Sequence, residues 1–307
     1  MENLERYKHL NKYLKEKFGE RTLKICIDGG FTCPNRNGSS GCIFCSERGS
    51  GEHINAVSNI SLQVENYFNS YKAERANKFI AYFQNFTNTY APIDVLKAKY
   101  DSALIDDRIV ALAIATRPDC INEDVCKLLK SYTDKYNVWV ELGLQTANDN
   151  TGNLINRGYS NSEFTNAVAL LNKYNIDVVT HIMIGLPGEN FEDLKNTVSF
   201  VNAHNIQGLK IHCTYVVENT ILADMLHKGQ YTPISLEYYL DCVTYVLTHI
   251  SPDIVIHRVS GDAPKDLLIA PDWNSHKKWI INGLDKLMRE QNLCQGMYYE
   301  NKIHGDI

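Results

Sequence analysis

The stretch Cys33-Pro-Asn-Arg-Asn-Gly-Ser-Ser-Gly-Cys42-Ile-Phe-Cys45 constrains this chain more than any other. Three thiols fall within thirteen residues, at C-x8-C-x2-C spacing. Pro34, Asn35, Asn37, Gly38, Ser39, Ser40 and Gly41 lie between them, turn and loop formers without apolar periodicity. Such a loop cannot bury its cysteines as packing residues. It can wrap around a centre and turn sulfur inward, and a C-x2-C pair reaches one metal centre from a single turn. A structural zinc site closes with four protein ligands. A four-iron cluster held by three thiolates leaves one iron open to a small molecule. A zinc loop completed by His53 or by another cysteine meets the same spacing.

The rest of the chain sets the surroundings. Its 307 residues suffice for one large domain or two small ones, and 44% hydrophobic content supports a sizeable core. No apolar run approaches the roughly 18–20 residues that cross a bilayer. The charged N-terminus lacks a signal core, so a cytoplasmic protein is expected. Nine cysteines in such a chain favour free thiols and a metal site over a disulfide framework. The net charge of −5 gives no general attraction to nucleic acid, though it leaves room for a local basic patch.

Periodicity predicts an amphipathic helix over 5–18, then strands over 23–27, 78–83, 109–115, 138–144, 176–184 and 209–217. Helices are expected between them over 61–77, 93–103, 122–136, 148–155, 162–174 and 191–203. Near-continuous apolar strands alternating with helices mark a parallel sheet covered by helices. Six strands with polar, glycine-bearing ends predict an α/β fold, a partial (β/α)6 TIM-like barrel. Ligands of such folds sit at the C-terminal strand ends. After Glu218 the pattern turns mainly helical, over 221–227, 235–250 and 274–290, with a short strand over 254–257. The expected division is a barrel over 1–220 and an extension over 221–307 packed on it.

The strand followed by a three-cysteine loop resembles the radical S-adenosylmethionine (SAM) superfamily. The common spacing there is C-x3-C-x2-C; the longer gap resembles the subset with extended loops, which includes Elongator catalytic-subunit-like proteins. Cys-Pro-Asn-Arg-Asn-Gly, Cys42-Ile-Phe-Cys45, Glu141-Leu-Gly-Leu-Gln145-Thr, Ile184-Gly-Leu-Pro-Gly-Glu189 and His257-Arg-Val-Ser-Gly-Asp262 together are similar to the YhcC/YtqA type. The resemblance implies one [4Fe-4S] cluster on Cys33, Cys42 and Cys45, with SAM on the open iron. Gln84 and Thr87 match by position the residues that contact the SAM amino group, where Gly-Gly-Glu is frequent and here missing; a plain loop is the alternative. Gln145 matches a SAM contact. Arg157, in Leu154-Ile-Asn-Arg-Gly, matches a partner of the SAM carboxylate, with a surface salt bridge as the alternative. Gly185 and Pro187 match a turn beside the adenine. His181 stands where relatives carry a ribose-binding Asp, and a satisfied strand histidine explains it equally. Lys210, His212, Cys213, Arg258, Gly261 and Asp262 are candidates to face a substrate. Cys26, Cys120, Cys126, Cys242 and Cys294 read as packing residues. No catalytic residue is assigned.

The resemblance further implies reductive cleavage of SAM to a 5′-deoxyadenosyl radical, with flavodoxin or ferredoxin as electron donor. The implied substrate is the wobble uridine of tRNA, converted at C5 from carboxymethylaminomethyl to aminomethyl. Radical chemistry on a small molecule and a non-catalytic zinc-binding RNA module are the alternatives.

Overall fold

The structure, a computed structural model, describes residues 5–49, 59–261 and 263–300. His53 and Asp262 lie outside the described residues. The chain runs α1 (Leu10–Phe18), β1 (Thr22–Ile27), α2 (Ile60–Phe68), β2 (Lys78–Phe83), α3 (Ile93–Asp101), β3 (Ile109–Thr116) and α4 (Glu123–Lys130). It continues with β4 (Asn137–Gln145), α5 (Asp149–Leu154), α6 (Asn161–Lys173), β5 (Asp177–Ile184), α7 (Phe191–Asn202) and β6 (Gly208–Cys213). Then come β7 (Val216–Val217), α8 (Ile221–His227), α9 (Leu236–His249), β8 (Val255–Arg258), β9 (Leu268–Ala270) and α10 (Lys277–Glu290).

Seven parallel strands form one sheet in the order β1-β2-β3-β4-β5-β6-β8. The predicted partial barrel is therefore present, and the late strand joins it as a seventh member beside β6. Alternate residues of each strand take opposite roles. Ile25, Ile27, Phe79, Phe83, Leu112, Ile114, Val140 and Leu142 pack under the surrounding helices. Each fully buried Leu, Ile or Phe contributes about 1.5–3 kcal/mol. Ile80, Tyr82, Ala111, Ala113, Trp139 and Val179 face the other way, onto Leu10 and Leu14 of α1. Those two leucines are one helical turn apart. They make α1 the plug of the barrel interior.

Four elements differ from expectation: the helix predicted over 5–18 begins at Leu10, and the helix predicted over 122–136 ends at Lys130. The helix predicted over 61–77 ends at Phe68, where Ser70 Oγ donates to Tyr67 O at 2.6 Å, and a 3-10 turn, Ala73–Arg75, follows. The strand predicted over 209–217 leaves the sheet after Cys213, and its last two residues pair antiparallel with β9 instead. Among the described residues, no helix is long and apolar enough to cross a membrane.

Candidate active site

The loop after β1 and the ends of the strands enclose a cavity of about 480 Å³, within the range of small-molecule sites. Cys33, Cys42 and Cys45 line it together, as do Gln84, Thr87, Gln145 and His181. The loop folds by local chemistry. Cys33 precedes a 3-10 turn over Pro34–Arg36, and the Cys45 amide donates to Cys42 O at 3.0 Å. Gly41 has φ 77°, and a side chain there would press on Arg36. The Arg36 guanidinium donates to Ser46 O and Glu47 O, tying the far end of the loop back. A hydrogen bond from the Cys45 thiol brings Cys42 down to about 7, against its burial, with Arg117 and Asn35 assisting. Cys45 is raised by the same bond and by burial. Among the described residues no three His, Cys, Asp or Glu side chains close on a single-ion site; the three loop thiols share a wall.

The strand tips add polar groups. Gln145 ends β4 at φ 61°, a left-handed conformation that costs a non-glycine residue about 1 kcal/mol or more. Its Oε1 accepts from the Tyr159 hydroxyl at 2.7 Å, which also donates to Gly143 O at 2.8 Å. Thr87 is buried, and its Oγ1 has no hydrogen-bond partner among the described residues. Gly185 and Pro187 do not line this cavity. They border a second one of about 160 Å³, which meets the first at Met183. Their turn serves the loop instead: Leu186 packs in a cluster with Ile43 and Ile155.

Arg157 also departs from its expected role. Its side chain is 1% exposed and lies outside the lining of the main cavity. The guanidinium donates to Leu144 O, Thr146 O and Tyr159 O at 2.7–2.9 Å and to Asp149 Oδ1 at 2.8 Å. It therefore welds the end of β4 to the turn after α5, a buried brace in place of either a ligand contact or a surface salt bridge. Its neighbours in the same motif hold the cysteine loop. Asn156 Nδ2 donates to Gly41 O at 2.7 Å, and Asn35 Nδ2 donates to Asn156 O at 2.7 Å. Gly158, at φ 77°, leaves room for Asn35 Oδ1, which would lie 2.4 Å from a Cβ. Arg157→Ala orphans several buried carbonyls, each costing about 1–3 kcal/mol. We expect a lower melting temperature and weaker metal retention in the loop. An unchanged melting temperature would return Arg157 to ligand binding.

Below the tips sits a charged group that sequence reasoning missed. Glu141 in β4 has no exposed side-chain surface. Its Oε1 accepts from Trp139 Nε1 at 3.1 Å and Lys24 Nζ at 3.4 Å. Its Oε2 accepts from Lys210 Nζ and pairs with His181 Nε2 at 3.1 Å. Lys210 Nζ also donates to the Tyr82 hydroxyl at 3.0 Å. Burial alone would raise the Glu141 carboxyl. Lys210, Lys24 and His181 outweigh it and hold the group well below the usual carboxylate range. Burial draws Lys210 down to about 7, with Glu141 opposing. His212, His257, Arg258 and Cys26 complete this wall, whereas Cys213, a candidate to face a substrate, ends β6 with its side chain buried in the helix-side core. Cys26 is therefore not a packing residue, since it faces the cavity near Lys24, Lys210 and Arg258. Cys294 is exposed, whereas Cys126 and Cys242 are buried as expected. The only sequence signal for Glu141 was its place in Glu-Leu-Gly-Leu-Gln145.

Burial also lowers His181, to about 4, and holds His212 and His257 well below the ordinary imidazole value. The unfolded chain takes protons on these rings below about pH 6.5, while the folded rings stay neutral. The unfolded state then binds more protons, so stability falls as pH drops from about 6.5. Each ring contributes roughly 1 kcal/mol per pH unit over that window. Urea midpoints should decline between neutrality and about pH 5; a flat midpoint would mean that the rings are charged in the fold.

Comparison with known proteins gives a consistent set. The model of the radical SAM superfamily matches residues 30–201, and that of the radical SAM C-terminal domain matches residues 206–290. YtqA of Bacillus subtilis (strain 168), an uncharacterized protein, is 37% identical over 300 residues, 96% of this chain and 93% of YtqA. A tRNA uridine(34) acetyltransferase of Dehalococcoides mccartyi is 33% identical over 172 residues, 55% of this chain but only 37% of that enzyme. Among solved structures, the archaeal Methanocaldococcus infernus Elp3 has a similar fold, with a TM-score of 0.68 at 19% identity over 93% of this chain and 68% of that one.

Proposed function

The chain belongs to the radical SAM superfamily, in the group of YhcC and YtqA, and from that premise we propose that it modifies a wobble uridine of tRNA. The step is oxidative loss of the carboxymethyl unit from a 5-carboxymethylaminomethyl group. Loss of a hydrogen atom, then of an electron and a proton, turns the amine into an imine, and water hydrolyses it to aminomethyl and glyoxylate. SAM is the net two-electron oxidant as it becomes methionine and 5′-deoxyadenosine. The observation that carries the radical part is the convergence of three loop thiols and the polar strand tips on one cavity. Partial similarity to a tRNA uridine(34) acetyltransferase supports the choice of substrate.

Three thiolate donors on a shared wall fit a [4Fe-4S] cluster with one iron left for SAM, and Cys33, Cys42 and Cys45 would hold it. When bound, the cluster supplies the electron that cleaves SAM reductively to the radical that takes hydrogen from the carbon beside the amine. The chain's own groups do the rest. Thr87 brings an unpartnered hydroxyl and Gln145 an amide fixed by Tyr159, both suited to the polar parts of SAM. Gln84 and His181 line the same wall. Leu10 and Leu14 plug the interior, so that a reactive carbon meets few waters. We place the protein in the cytoplasm, with a flavodoxin or ferredoxin as reductant.

The test uses anaerobically reconstituted protein, SAM, a reductant and tRNA bearing 5-carboxymethylaminomethyluridine, with the nucleosides analysed by mass spectrometry. We expect aminomethyluridine to appear together with 5′-deoxyadenosine. SAM cleavage with unchanged tRNA would move the substrate to a small molecule. A colourless zinc protein would remove the radical reading altogether.

A further inference from the structure

We propose that the floor of the cavity recognises a carboxylate on the substrate, and that Lys24 is the group that meets it. The inference rests on the reading above only for which molecule carries the carboxylate.

The charges on the wall divide by height. Near the cysteines, Arg36 is engaged by Ser46 O and Glu47 O, and Arg117 forms a two-pronged pair with Asp119. On the floor, Lys24 and Lys210 share one carboxylate, Glu141. That carboxylate already accepts from Trp139 and pairs with His181 as well. The two lysines are held very differently. The Lys210 side chain is 6% exposed and bonded to both Glu141 and Tyr82. The Lys24 side chain is 23% exposed, and the contact of its ammonium with Glu141, at 3.4 Å, is that group's only hydrogen bond among the described residues. Its ammonium otherwise rests 4.7 Å from the Tyr82 ring centre and 5.9 Å from that of Trp139. Aromatic faces attract a cation without neutralising it. His212 Nε2 and His257 Nδ1, in rings on the same wall, have no partner among the described residues.

A partly buried ammonium held by one long contact, as Lys24 is, is costly until an anion arrives, and the charge-assisted bonds that then form are short and strong. Lys24 stands three residues before the end of β1, roughly 10 Å below the strand tips at about 3.3 Å per residue. The carboxylate site is thereby set apart from the thiols at the mouth. It suits a substrate that enters past the loop with its acidic end leading.

The experiment is calorimetric titration of the reconstituted protein, with SAM saturating so that its own carboxylate is common to every arm. Two ligand pairs differ by one carboxylate: N-benzylglycine against N-methylbenzylamine, and an anticodon stem-loop with 5-carboxymethylaminomethyluridine against one with 5-methylaminomethyluridine. The parent should prefer the carboxylate member about ten-fold or more. Lys24→Gln should reduce that preference to within about two-fold, and Lys24→Arg should keep most of it, with circular dichroism confirming that both variants fold. The inference is overturned if neither pair shows a Lys24-dependent preference. If the stem-loops are neither bound nor converted while N-benzylglycine keeps the preference, the carboxylate site stands and the tRNA reading falls.

Discussion

Cys45→Ala is expected to leave a colourless protein where the parent is brown. Iron should fall from about four per chain, with absorption near roughly 400 nm lost alongside it. SAM cleavage should drop below detection. The reason is positional as well as chemical. Cys45 closes the C-x2-C turn through its amide, and its thiol bonds to Cys42. The loop carries no thiol besides Cys33, Cys42 and Cys45, so Cys45 has no substitute. Cys126→Ala is the control, because Cys126 is buried beneath the sheet in the helix-side core. Iron and sulfide counts after anaerobic purification decide the matter. A mutant that keeps its iron and colour would show that the centre is held elsewhere.

Glu141→Gln should destabilise the fold by about 3–5 kcal/mol, the scale seen when one partner of a buried ion pair is removed. The amide keeps the volume but cannot balance Lys210, which is 6% exposed, or satisfy Lys24. The complementary test is the double variant Glu141→Leu with Lys210→Met. Replacing both with apolar groups removes the more deeply buried ammonium, Lys210, and leaves Lys24, 23% exposed, to be met by solvent. Exchanges of a buried pair for apolar groups are often neutral or stabilising. The double variant should therefore recover much of the loss in urea unfolding while remaining inactive. If Glu141→Gln unfolds at the parent's midpoint, the network is not structural. Equal loss in the double variant would instead assign the cost to packing.

The fold was largely legible because parallel strands covered on both faces read as near-continuous apolar runs. Ile109–Thr116 is the clearest case. The cysteine loop was legible from spacing and turn residues alone. Glu141 was not, because a carboxylate inside Val-Glu-Leu resembles a solvent-facing position until its partners are known. Those partners lie 117 residues away at Lys24 and 69 away at Lys210, and no local pattern connects them. Arg157 shows the opposite failure. Its motif pointed to a ligand contact, yet its donors go to backbone carbonyls left free where β4 ends. The strand over 209–217 was read too long because Val216–Val217 does belong to a strand, one paired outside the main sheet.

The seventh strand has a consequence for how the molecule is made. β8 is laid beside β6 more than 40 residues after it in the chain, and it brings His257 and Arg258 to the cavity wall. Its outer side is latched by the other end of the polypeptide: the Ile256 amide donates to Lys8 O at 2.8 Å, and the Gln295 amide donates to Arg6 O at 2.8 Å. A chain emerging from the ribosome therefore presents six strands with an unpaired β6 edge, a surface open to wrong partners, while its closing strand is still being synthesised. The segment just before α1 finds these two partners only after β8 and Gln295 have been made. Loop closure over most of the polypeptide makes this a late and slow event in folding, and the wall around the three thiols is complete only after it.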